Sequence, residues 1–495
     1  MNKTNTCTLS ALLAAASVLV MCASCGAETQ PKNENSTLPG TEAAGTEEGE
    51  MLPDPFLHGG LEERDLGGYE LKILGRYANS SFIETGIYAT ELNGEVVNDL
   101  VFERNQELMK RFGCNITFEH QPDDQQELQS ILQQTIQAGD DVYQLVLFTP
   151  SHFCGLAGKN MLVDWSTLDD VQLGEPWWDQ NVNSALRIGD YQYAVYGSAL
   201  FNLKLKIYHV IFNKEIAAKY DVSSEELYES ARNGTWTLDR LGSLAKLVKE
   251  DLNGDGKYDN NDVWGCMGES YTSYTLALGA GAEFLTEQPD GRLLVTADSE
   301  RTTEACMKVL SLFTDKEHYL ITENMKGVPD IWSEMYNMEQ SSKIFLLLGT
   351  LRDSLRDMEA DYGILPSPKL DENQAEYRHT TTVINAPVLA IPVTAAQPEM
   401  TAYLMELMQY QAHNDILPVY YQNFLNTKMV RDEESVEMLK LIHGTLFIDR
   451  CALYTFDFVG MIQDNAKTAK ERYASDIAKR VKGVQNMIDK AMEAN

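Results

Sequence analysis

The most specific chemistry in this chain lies in the stretch DLNGDGKYDNND, which begins at Asp251. Asp251, Asn253, Asp255, Asp259 and Asp262 take the first, third, fifth, ninth and twelfth places, and Lys257 offers a backbone carbonyl at the seventh. Gly256 stands sixth, where such a loop must turn sharply. Oxygen ligands at this spacing around that glycine make a calcium loop of the EF-hand kind. The twelfth place holds Asp262 where Glu is usual, and its shorter arm weakens coordination. A structural calcium ion is the expectation, set against a solvated acidic turn.

Aromatic residues form the second group. Trp177 and Trp178 follow Pro176 and precede Asp179. Indole faces stack on the C–H faces of sugar rings, and carboxylates bind the hydroxyls. These residues are therefore a candidate ligand surface; the bland alternative is that at least one indole belongs to the core. Trp332, in GVPDIWSEMY, is a candidate to reach a cleft, whereas Trp165, Trp236 and Trp264 read as structural, the last against the calcium loop. The sequence carries no G-x-S-x-G elbow, P-loop or H-E-x-x-H motif. A binding protein rather than an enzyme is expected. Abundant carboxylates keep a secreted carbohydrate hydrolase as an alternative, and the calcium loop suggests a calcium-dependent surface interaction protein as another.

The rest of the chain supplies the frame. Its 495 residues hold 74 acidic and 40 basic side chains, a formal net charge of -34, with 44% hydrophobic residues. That size and composition predict a large core in two or more lobes. The negative field disfavours nucleic acid and anionic lipid surfaces. Lys3, the apolar run Leu9–Met21 and the small residues before Cys25 predict an export signal over residues 1–24, with lipid on Cys25. The stretch 25–60 is poor in large apolar residues at its start and reads as a flexible tether. The expected location is the extracytoplasmic face of a bacterial membrane, with contact only through the lipid. Cys114, Cys154, Cys266, Cys306 and Cys451 are widely spaced and predict buried thiols rather than a disulfide framework.

Strand-like apolar runs alternate with helical spacing: YELKILG, then Val97–Phe112, NITFEH, Glu127–Ala138 and VYQLVLFTP. This alternation predicts an α/β fold with a parallel sheet under helices. Ligands of such sheets bind beyond the C-terminal strand ends, which points to Arg76–Ser80 and Ser151–Phe153. Further runs, YHVIFNK, KIFLLLG, DYGILPSPK and VINAPVLAIPV, read as strands of a second sheet.

The order of NGEVVNDLVFERNQELMKRFGCNI, QAGDDVYQLVLF, EPWWDQNVNSALRIGDYQYAVYG, VIFNKEIAAKY, GTWTLDRLGSLAKLV and DYGILPSPKLDENQAEY resembles the family 1 extracellular solute-binding proteins, the group of maltose-binding protein. The resemblance spans nearly the whole mature chain. It implies a type II, periplasmic-binding-protein-like fold. Its first lobe would span 69–191 plus about 383–429, and its second about 192–382 plus 430–495, with hinge strands crossing between them. It also implies a monomer that captures a mono- or oligosaccharide and delivers it to the permease and ATPase of an ABC importer. Tyr454, Phe456 and Asp457, in ALYTFDFVG, fall where relatives present aromatic residues to sugar.

Overall fold

The computed structural model describes residues 54–58, 60–76, 86–121, 125–201, 206–381, 387–426, 430–453 and 458–493. Cys25, the export signal, Tyr454, Phe456 and Asp457 lie outside them.

The first sheet begins with β1 (Tyr69–Arg76), β2 (Cys114–Gln121) and β3 (Leu145–Phe148). β1 pairs in parallel with both, Tyr69 opposite Cys114 and Ile73 opposite Leu145. Leu71, Ile73, Leu74 and all of β3 are buried, as strands covered on both faces must be. Helices Val96–Phe112 and Gln125–Ala138 make the crossovers. The first ends at Gly113, in the left-handed region at φ 63°, and a side chain there would meet Asp65 Oδ1 at 2.3 Å. The third strand is shorter than VYQLVLFTP suggests. Pro150, which has no amide hydrogen to give a sheet, instead opens helix Pro150–Ala157.

The second sheet is built from β4 (His209–Asn213), β5 (Lys249–Glu250), β6 (Val263–Gly268), β9 (Tyr319–Ile321), β10 (Ile344–Gly349) and β11 (Tyr362–Leu365); β7 (Leu285–Glu287) and β8 (Leu293–Val295) form a separate hairpin. The strand order is β11-β4-β10-β6-β5, with β9 on β6. β6, β9 and β10 run parallel, while β4 and β11 are mutually antiparallel and β4 is antiparallel to β10. The chain then returns as β12 (Val388–Ala390), antiparallel to β3, completing the first sheet as β12-β3-β1-β2.

Near the passages between the sheets, Val195 bridges Leu389 and Ile207 bridges Thr381. Val388 lies opposite Phe148, the last residue of β3, and His209 opposite Gly349, the last residue of β10. Both passages therefore reach their sheets at the C-terminal ends of parallel strands.

The packed body starts earlier than a tether ending at residue 60 would allow. Phe56 is buried edge-on against Phe112, and Arg111 pairs with Asp54 at 2.8 Å. Cys114, Cys266, Cys306 and Cys451 are free and buried. Among the described residues no helix is long and apolar enough to cross a membrane.

Candidate ligand-binding site

Three parallel strands of the second sheet end side by side, and the residues that follow them are polar. After β6 come Glu269, Ser270 and Tyr271; after β9, Thr322 and Glu323; after β10, Thr350 and Arg352. Glu323 is anchored: Ser270 donates its amide to Oε2 at 2.9 Å and its hydroxyl to Oε1 at 2.5 Å. Tyr208, just before β4, sets its ring 5.5 Å from that of Tyr271.

Arg352 is half-buried, yet among the described residues it has no carboxylate within ion-pair distance. Its Nε reaches the Thr350 carbonyl at 3.4 Å and its Nη1 the Met335 sulfur at 3.7 Å, both weak partners. Its guanidinium lies 5.5 Å over the Tyr336 ring. Burial pushes the Glu269 carboxyl above the usual range; nearby Arg352 draws it down and Glu323 pushes it up. A donor fork and an acceptor thus sit together without strong partners of their own.

Beside them, helix Ile331–Gln340 carries Trp332 and Tyr336, which are 40% and 38% exposed. Their spacing of four puts both rings on one helix face. Asp330 caps this helix, accepting from the Trp332 amide at 3.0 Å and from the Ser333 hydroxyl at 2.6 Å, so the platform has a fixed start. Exposed aromatic faces beside a half-buried arginine and carboxylate can stack on a ring and bind its hydroxyls.

No protein-family profile and no curated protein sequence matches the chain. Its architecture is nevertheless found among solved structures. An ABC substrate-binding protein of Listeria monocytogenes in complex with cycloalternan matches over 86% of this chain and 99% of its own, at 14% identity and a TM-score of 0.54. Maltose-bound MalE3 of T. maritima matches over 84% and 100%, at 14% identity and 0.51. The apo form of RafE from Streptococcus pneumoniae matches over 85% and 98%, at 12% identity and 0.53. The chain has the type II fold of the ABC solute-binding proteins.

Within this solute-binding fold the expected tryptophan surface is interior. Trp178 is fully buried and Trp177 nearly so. Their indole N–H groups donate to the two oxygens of Glu406, at 2.7 and 2.8 Å. Trp178 lies edge-on to Trp165, and Trp177 is packed by His58 and Tyr410. Asp179 is a helix cap, accepting from the Val182 amide at 3.0 Å in front of helix Gln180–Leu186. Trp177 and Trp178 therefore belong to the packed core rather than to a ligand surface, because a buried carboxylate takes both of their polar edges. Trp236 is also interior, donating to the Pro366 carbonyl at 2.7 Å.

The acidic loop is folded as successive Asx turns. Asp251 accepts from the Gly254 and Gly256 amides at 2.7 and 2.8 Å, Asn253 from Asp255 at 2.9 Å, and Asp255 from Lys257 at 2.8 Å. Asp259 accepts from Asn261 at 2.8 Å, and buried Asp262 from Leu252 and from Asp259 at 3.0 and 2.9 Å. Gly254 and Gly256, at φ 71° and 74°, supply the left-handed turns. Trp264 packs against the loop and donates to the Asp259 carbonyl at 2.8 Å. Among the described residues no group of three or more His, Cys, Asp or Glu is arranged to hold a metal ion. The hard-oxygen donor set does suit calcium, and each oxygen retains acceptor capacity beyond its amide bond.

Of the sequence candidates for the ligand that lie among the described residues, only Trp332 stands beside this strand edge. Tyr208, Glu269, Tyr271, Tyr336 and Arg352 are added by the structure. The strand-end rule, applied to WGCMG and KIFLLLG as it was to the first sheet, points to Glu269–Tyr271 and Thr350–Arg352.

Proposed function

We propose that this chain captures a carbohydrate between its two lobes and presents it to an ABC permease at the extracytoplasmic membrane face, held there by lipid on Cys25. The observation that carries this reading is the half-buried pair Arg352 and Glu269, without strong partners, beside the exposed rings of Trp332 and Tyr336. Sugars offer what this arrangement takes: flat C–H faces and vicinal hydroxyls that both donate and accept. The solved structures of this fold named with cycloalternan and maltose lend support. Thermal-shift screening across mono- and oligosaccharides tests the reading, because a ligand bound only by the native state raises the melting temperature. At least one sugar is expected to do so and to be recovered unchanged. Cleaved sugar would indicate a hydrolase, and a panel with no shift would count against carbohydrate.

The anchor makes its own prediction. Cys25→Ala is expected to move the protein from the membrane fraction to the soluble one; continued membrane retention would remove the lipid from the account.

We also propose that the loop Asp251–Asp262 binds calcium as a structural ion. Metal held only by the folded loop adds stability by mass action. After chelation, added calcium is expected to raise the melting temperature of the wild type and not that of Asp255→Ala. An equal response from both, or none from the wild type, leaves the loop as a self-bonded turn.

A further inference from the structure

Beyond the ligand edge, the second lobe holds a cavity of about 430 Å³ whose charge runs against that of the whole molecule. It opens beside the edge strand β9, over a floor that includes Trp264, Phe313 and Ile321, and Lys316, Lys326 and Lys467 line it. Among the described residues the only carboxylate lining it is Glu323. In a chain of 74 acidic and 40 basic residues, such an excess of cations around one hollow is unusual.

Two of these three ammonium groups are not spent on ion pairs. Among the described residues neither Lys316 nor Lys326 has a carboxylate within ion-pair distance. Lys467 makes a long ion pair with Glu323 Oε1, at 3.9 Å. Glu323 is itself occupied by the Ser270 hydroxyl and amide, so its charge is already drawn toward the ligand edge. The neighbouring acids are engaged elsewhere: Glu317 pairs with Lys249 at 3.2 Å and Asp315 with His318 at 2.9 Å. The cavity is also braced, since Asn324 donates its amide to the Lys467 carbonyl at 3.1 Å, joining two of its walls.

We propose that this cavity is an anion site for a small phosphate- or carboxylate-bearing solute, adjoining the carbohydrate edge through Glu323. Three lysines lining the cavity, two of them unpaired, outweigh its one committed carboxylate and attract such a group, and the cavity volume suits a small molecule rather than a polymer. The whole-molecule charge of -34 disfavours anions over the surface at large, so a local excess of lysine is what would draw one here.

The test is calorimetric titration of the full chain with inorganic phosphate and, separately, citrate, each against sodium chloride at matched ionic strength. Saturable binding of phosphate or citrate beyond the chloride control is expected. The combined variant Lys316→Gln, Lys326→Gln, Lys467→Gln is expected to bind at least tenfold more weakly while melting at the wild-type temperature in chloride. If that variant melts early, the single exposed change Lys326→Gln serves instead, with a weaker but measurable loss expected. Equal affinity in the wild type and the variants, or heats no larger than those of chloride for both anions, overturns the proposal.

Discussion

Glu406→Ala is expected to destabilise the first lobe by about 3–5 kcal/mol, the range for stripping one partner from a buried charged cluster. Glu406 is fully buried, and its oxygens accept from Trp177 and Trp178 at 2.8 and 2.7 Å and from the Gln172 amide at 3.3 Å. His58 Nε2 stands 3.1 Å away. Burial pushes this carboxyl upward while the indole donors draw it down. Truncation leaves two buried indole N–H groups without acceptors, each costing about 1–3 kcal/mol, and opens a void between the rings. Trp178→Ala is expected to cost a similar ~3–5 kcal/mol as a large-to-small core change. Urea unfolding monitored by fluorescence and by far-UV dichroism measures both. Sugar affinity, where the variant remains folded, is expected to hold. A Trp178→Ala protein of wild-type stability that had lost its ligand would return the tryptophan pair to the binding surface.

The opposite pattern is expected at the strand edge. Trp332→Ala and Tyr336→Ala remove exposed rings, so stability should change little, while each loses on the order of 1–3 kcal/mol of sugar affinity. Arg352→Ala removes a charged donor fork and is expected to cost about 1.5–3 kcal/mol, roughly ten- to a hundredfold in Kd. Glu269→Gln keeps the shape and one acceptor and should cost less. Calorimetry with the best sugar from the screen reads all four. If Trp332→Ala, Tyr336→Ala and Arg352→Ala all bind as the wild type does, the ligand lies elsewhere.

Much of the frame is legible in the sequence because it is local. YELKILG and KIFLLLG are apolar runs that only a two-sided sheet can bury, and they are β1 and β10. The calcium-like spacing likewise yields a tight, glycine-turned loop with Trp264 against it. The tryptophan pair is not legible in this way. Whether an indole after Pro176 faces solvent or the core is decided by a carboxylate 228 and 229 positions away. Tyr336 and Arg352 are hidden for a related reason. Each is unremarkable in its own segment, and they meet only when β10 brings the turn after Gly349 beside helix Ile331–Gln340. The hairpin β7–β8 leaves no signal in the sequence because Leu285–Glu287 and Leu293–Val295 are too short to show alternation.

The central claim is capture between two lobes, and solution X-ray scattering tests it most directly. Lobes joined by crossing strands close around a ligand that touches both, which shortens the molecule. With the best sugar at saturation, the radius of gyration of the full chain is expected to fall below its ligand-free value, and the Arg352→Ala protein at the same sugar concentration should show a smaller change. Identical scattering with and without saturating sugar would mean that the ligand sits on one lobe alone and that the two do not close on it.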